Sequence, residues 1–188
     1  MPPWSPYVAH FLFWLPFIVR GQVDRMRGRA DGPPVHAAPG ARWLIFRHSV
    51  ATFGMYLGLG AAVARKEVLD GVPAAVGIAL IGLGLGLALW TLWVFRSWRL
   101  RAELGPGHEL CTGGPFRLVR HPIYTAMDLL ALGTAVWAPN AFTLGGVLGI
   151  ALVGDQRARA EEHILLDAFG ERYALFMAST RRFVPGIY

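Results

Sequence analysis

The chain has 188 residues, 54% of them apolar and only 16% charged, with a positive mean hydropathy of +0.42, a formal charge of +6 and an isoelectric point near 10.2. A water-soluble domain of this length carries more charge and fewer long apolar runs, so the composition predicts an integral membrane protein. Cys111 is the single cysteine, which excludes an internal disulfide and a multi-cysteine zinc site.

Five apolar segments follow one another: 4–19, 43–64, 72–95, 122–137 and 141–153. The second and third reach the roughly 20 residues that cross a hydrocarbon core. The first has no basic residue before it and a dense arginine stretch after it, the reverse of a cleaved signal peptide, and is read as a span. "RADGPPVHAAPGA" (29–41) reads as a cytoplasmic loop. The fourth and fifth segments are separated only by Ala138, Pro139 and Asn140, a turn signal that predicts a tight helical hairpin. Over 155–179 the pattern becomes that of an amphipathic helix, with a break at Gly170, and "RRFVPG" closes it in extended form.

Of the eighteen basic residues, seventeen of them arginine, only Arg65 and Lys66 fall between the second and third segments. The others lie after the first, third and fifth, with Arg47, at the start of the second, counted with the loop before it. The positive-inside rule then places the amino terminus outside and the carboxyl terminus in the cytoplasm, which requires an odd number of spans. The predicted fold is an all-α polytopic membrane helical bundle of about five transmembrane helices, with a cytoplasmic C-terminal amphipathic helix. The arginine skew fits a GC-rich bacterial source and hence a bacterial inner membrane. The positive charge is explained by topology, so no nucleic-acid partner is expected; membrane lipids are, and the sequence sets no oligomeric state.

Glycines 54, 58, 82–86, 145 and 149 lie inside apolar helices, where close spacing lets backbones approach. No nucleotide-binding glycine loop is visible. His10 and His48 are read as interfacial and His36 as a loop residue; none forms a metal-ligand spacing, so no metal is expected.

"HELCTGGPFRLVRHPIY" (108–124) is different in kind. Its glycines and prolines break helix and expose backbone, two arginines stand three apart, and Pro122 suits the first turn of the fourth helix. Free N–H groups at such a start suit a carboxylate or phosphate oxygen, although Arg117 and Arg120 also read as a basic membrane-surface anchor. A second polar cluster, "RARAEEH" (157–163), follows the fifth span at the headgroup boundary. Arg157 and Glu161 are four apart and share a helix face, which is compatible with a simple exposed ion pair.

Together, "GPFRLVRHPIY", the later "EE", "FGERY" and "RRFVPG" closely resemble the isoprenylcysteine carboxyl methyltransferase and phospholipid methyltransferase family of membrane enzymes, over roughly residues 101–186. The resemblance implies methyl transfer from S-adenosylmethionine to a lipophilic small-molecule or lipidated acceptor. It divides one integrated domain into 1–100, the first three spans, and 101–188, the catalytic region. By similarity His108, Glu109, Leu110 and Cys111 line the cofactor, Phe116 packs near its adenine, and His121, Pro122, Ile123 and Tyr124 form a wall. Glu161 binds its polar end with Glu162 in support, and Arg157 faces the acceptor. The chain departs from the family pattern at Arg101, Ala126 and Asp128, departures that bear on the acceptor. Asp128 follows Tyr124 by four residues on a shared helix face, and an intramembrane acid is a functional candidate. It orients or deprotonates the acceptor, pairs with Arg157, or makes an inter-helix hydrogen bond. Two rivals remain: an NADPH-dependent membrane reductase, since sterol reductases share an R-HP-Y motif, and a non-enzymatic membrane scaffold.

Overall fold

A computed structural model of the chain describes residues 2, 4–27, 36–37, 40–95, 103–104 and 110–188, with backbone alone at 36–37 and 103–104. Arg101, His108 and Glu109 lie outside the described residues. Six helices dominate: α1 (Ser5–Met26), α2 (Ala41–Arg65), α3 (Val72–Val94), α4 (Pro122–Trp137), α5 (Ala141–Phe169) and α6 (Glu171–Ser179). A two-stranded sheet joins His36–Ala37 antiparallel to Glu103–Leu104, and an isolated parallel bridge joins Val119 to Arg181.

The helices begin and end where local chemistry dictates. Pro122 occupies the first turn of α4, where its missing N–H costs nothing. The α4–α5 hairpin turns at Ala138–Asn140, and the Asn140 side chain accepts from the Phe142 and Thr143 amides while Thr143 Oγ1 accepts from the Asn140 amide. This reciprocal cap fixes the start of α5. The predicted boundary between a fifth span and a separate amphipathic helix is not a boundary: α5 runs unbroken from Ala141 to Phe169. The change at Asp155 is one of polarity only, and Ala, Arg and Glu all favour continuing a helix. The break comes at Gly170, whose φ of +52° suits glycine.

Helix α3 packs most extensively on α4, and α2 on α5. The approach is close. A Cβ at Gly77 would meet the Gly133 carbonyl at 2.7 Å, and one at Gly146 would meet Met55 Cβ at 2.6 Å. Packing glycines are therefore real, but not all of those expected: Gly58, Gly84 and Gly149 sit in contact, whereas Gly54, Gly82, Gly86 and Gly145 have nothing within 4 Å. GxxxG spacing marks candidates, and helix rotation decides which face inward.

The interior is apolar, built around Phe13, Met55, Ile81, Leu130 and Trp137. Trp137 Nε1 is buried there without a hydrogen-bond partner, whereas the imidazole of His10 is fully paired. His10, expected at an interface, is 3% exposed and bonded through Nδ1 to the Tyr56 hydroxyl and through Nε2 to Thr134 Oγ1, each at 2.9 Å.

Among the described residues α3 alone qualifies as a membrane span by length and composition, and only 28% of its apolar window is buried, unlike the core helix of a soluble protein. Other helices also turn apolar side chains outward: Trp43, Phe46, Val50, Phe53 and Leu57 of α2 recur along one exposed stripe.

Candidate functional site

The site lies at the end of the bundle where the segment before α4, the second half of α5, α6 and the carboxyl-terminal residues meet. Gly114, at φ +59° and with Val94 Cγ2 3.0 Å from where its Cβ would stand, lets a 3-10 turn (Gly114–Arg117) lie on the end of α3. Phe116, predicted near the adenine, is buried there edge-on to Phe95 at 5.3 Å, in a cluster with Tyr173 and Phe176. Leu110 and Cys111 are half-buried against the same cluster.

The next residues are held by the chain's last segment. Arg120 and His121 amides donate to the Arg181 and Arg182 carbonyls at 2.7 and 3.1 Å, and Thr125 Oγ1 donates to the Phe183 carbonyl at 3.0 Å. This short parallel contact positions His121 just before α4. Pro122, Ile123 and Tyr124 are buried behind it.

His121 stands between two carboxylates. Its Nδ1 lies 3.4 Å from Glu161 Oε2 and its Nε2 lies 3.3 Å from Glu162 Oε1. Burial disfavours the imidazolium, but hydrogen bonds and charge from both glutamates outweigh it and raise the pKa above the ordinary value. Glu162 is further bound by Arg120 Nη2 at 2.9 Å and by Arg182, whose Nη2 reaches Oε2 at 2.7 Å. Burial here opposes ionisation, and His121, Arg182 and Arg120 together reverse it, holding the carboxyl well below the usual glutamate range. Arg120 also donates to the Met177 and Thr180 carbonyls, and Arg182 to Asp155 Oδ1 at 2.9 Å. Glu162 is thus a charge hub that ties α4, α5 and α6 to the carboxyl-terminal segment.

Glu161 is less enclosed: its side chain is 24% exposed against 6% for Glu162. It accepts the Tyr124 hydroxyl. Arg157 is 5% exposed, its guanidinium 5.0 Å from the centroid of the Tyr124 ring. Tyr124 in turn stacks on His121 at 5.7 Å and faces the ring of His48, from α2, at 6.5 Å.

The structure therefore brings His121, Pro122, Ile123, Tyr124, Arg157, Glu161 and Glu162 into one place. Asp128 stands apart. It is half-buried, on the stripe of α4 that carries the exposed Leu132 and the half-buried Val136. Four contributors lay outside the sequence reading: His48, taken as interfacial but 7% exposed, and Arg182, Asp155 and Phe183. The quoted "RRFVPG" was the available signal for Arg182; for His48 an isolated histidine in an apolar helix offered none.

The phospholipid methyltransferase family model matches residues 72–172. The chain belongs to that family. No individual curated protein matches it significantly. The matched region takes in α3 and the α4–α5 hairpin as well as Arg157, Glu161 and Glu162, and it ends before Arg182 and Phe183. Membership implies a membrane methyltransferase.

Proposed function

We propose that this phospholipid methyltransferase family member transfers a methyl group from S-adenosylmethionine to a lipophilic acceptor, a carboxylate like that of a prenylated cysteine, which is the reference chemistry, or a lipid amine, thiol or other lipophilic acid. It works as a five-span protein of a bacterial inner membrane, amino terminus outside. The outward apolar stripes of the helices and the placement of arginines support that topology.

The observation that carries the reading is the meeting of the His-Pro start of α4 with the Glu161–Glu162 pair around His121. The residues fit the cofactor: Glu161 keeps an accessible carboxylate suited to an ammonium or ribose hydroxyls, and the half-buried Leu110 and Cys111 beside Phe116 offer an apolar wall for a purine. When bound, the cofactor supplies a methyl group already activated on a sulfonium. The protein's own work is alignment and exclusion of water. Glu162 with Arg120 and Arg182 holds His121 and the carboxyl-terminal segment in place, and buried Arg157 is suited to grip an acceptor oxyanion through paired N–H groups.

The test supplies labelled donor to membranes containing the parent, Arg157→Ala or Glu161→Ala, alongside calorimetric binding of S-adenosylhomocysteine and NADPH. Label enters a lipid-extractable product with the parent and falls at least about tenfold in each variant, as expected for loss of one charge-assisted contact. Glu161→Ala also weakens S-adenosylhomocysteine binding. Saturable NADPH binding without S-adenosylhomocysteine binding would overturn the reading.

A further inference from the structure

Among the described residues three buried side-chain polar atoms lack a hydrogen-bond partner: Asp24 Oδ1, His48 Nδ1 and Trp137 Nε1. The other carboxylate oxygen of Asp24 is paired with Arg20, and Trp137 sits at the far end of α4, beside the α4–α5 turn. His48 is the one that opens on the site. It is 7% exposed on α2, its ring faces Tyr124 at 6.5 Å, and it lies within electrostatic range of Arg157. The contrast with His10 is instructive, because that equally buried imidazole has both nitrogens satisfied by Tyr56 and Thr134. A buried donor or acceptor without a partner is costly, and such orphans concentrate where a ligand completes them.

We infer that His48 is a binding residue for the acceptor headgroup, donating from Nδ1 to an oxyanion, carboxylate or phosphate, that Arg157 holds from the other side. The inference rests on the proposed acceptor role of Arg157. Three helices then contribute one group each: His48 from α2, the Tyr124 ring from α4 as a floor, and Arg157 from α5. A neutral donor beside a guanidinium favours an anion without adding a second charge that the cation would repel. Selectivity for an anionic headgroup over an uncharged one of equal chain length is the consequence.

The full-length protein in detergent micelles, titrated by tryptophan fluorescence with dodecanoate, dodecyl phosphate and dodecanol, tests this. The parent binds one of the two anions at least about tenfold more tightly than the alcohol, and the stronger anion distinguishes carboxylate from phosphate. His48→Phe lowers that preference several-fold, to the part that Arg157 supplies, and leaves dodecanol binding unchanged. His48→Asn, whose amide occupies the place of Nδ1, retains it, and His48→Gln, whose amide lies where Nε2 was, does not. An unaltered anion preference in His48→Phe, no preference in the parent, or an equal loss for anion and alcohol overturns the inference. Absence of S-adenosylhomocysteine binding while the anion preference still follows His48 overturns the cofactor reading and leaves this one standing.

Discussion

Glu161 and Glu162 are sequence neighbours, yet they reach opposite nitrogens of one imidazole, because successive residues of a helix diverge by about 100° and His121 sits in the notch between them. The pair has opposite consequences with pH. The folded Glu162 pKa lies below its ordinary 4.5, so its stabilisation is complete above pH 4.5 and is lost as pH falls further. The folded His121 pKa lies above its ordinary 6.5, so its stabilisation is complete below pH 6.5 and is lost as pH rises through the folded value. Apparent Tm in detergent is therefore expected to decline on both sides of a window from 4.5 to 6.5; Glu162→Gln removes the acid limb and His121→Gln the alkaline one. Glu162→Gln also lowers stability by about 3 kcal/mol, because Arg120 and Arg182 lose their buried counter-charge. A Tm unmoved by that substitution would show the hub to be dispensable.

Element-scale stability concentrates in two devices, the reciprocal Asn140–Thr143 cap and the glycine contacts between helices. Asn140→Ala removes a cap and a bond from Nδ2 to the Gly58 carbonyl, with an expected loss of about 1 kcal/mol in denaturant unfolding. Gly133→Val has no room: its first added carbon would stand 2.6 Å from the Gly77 carbonyl, so α3 and α4 must separate, at about 1–3 kcal/mol. Retention of the parent unfolding midpoint would contradict that packing. The helices themselves were legible. Apolar run lengths, Pro122 and the Ala138–Asn140 turn place α2, α3 and α4 within a few residues of their observed bounds. The continuity of α5 was not, since a shift from lipid-facing to amphipathic composition alters what surrounds a helix without breaking its backbone.

Across the whole molecule, the α2–α3 and α4–α5 connections meet at one end, where the Leu69 amide donates to the Trp137 carbonyl, and the site lies at the other. Arg65 closes α2 at the first end, and Arg120, Arg157 and Arg182 gather at the second. In a Cys111→Ser background, Pro139→Cys is expected to react with a membrane-impermeant maleimide on intact cells, and Arg172→Cys only after lysis; the reverse pattern would invert the proposed topology.

Composition, run length and turn residues are local quantities, and they suffice to determine an apolar all-helical chain, the α4–α5 hairpin and the family motifs. Which side chains meet depends on helix rotation and on contacts between residues far apart in the chain. Only the tertiary structure therefore decided that Arg182 clamps Glu162, that Asp128 shares a stripe of α4 with the exposed Leu132, and that His48, with Nδ1 buried and unpartnered, packs beside the Tyr124 ring.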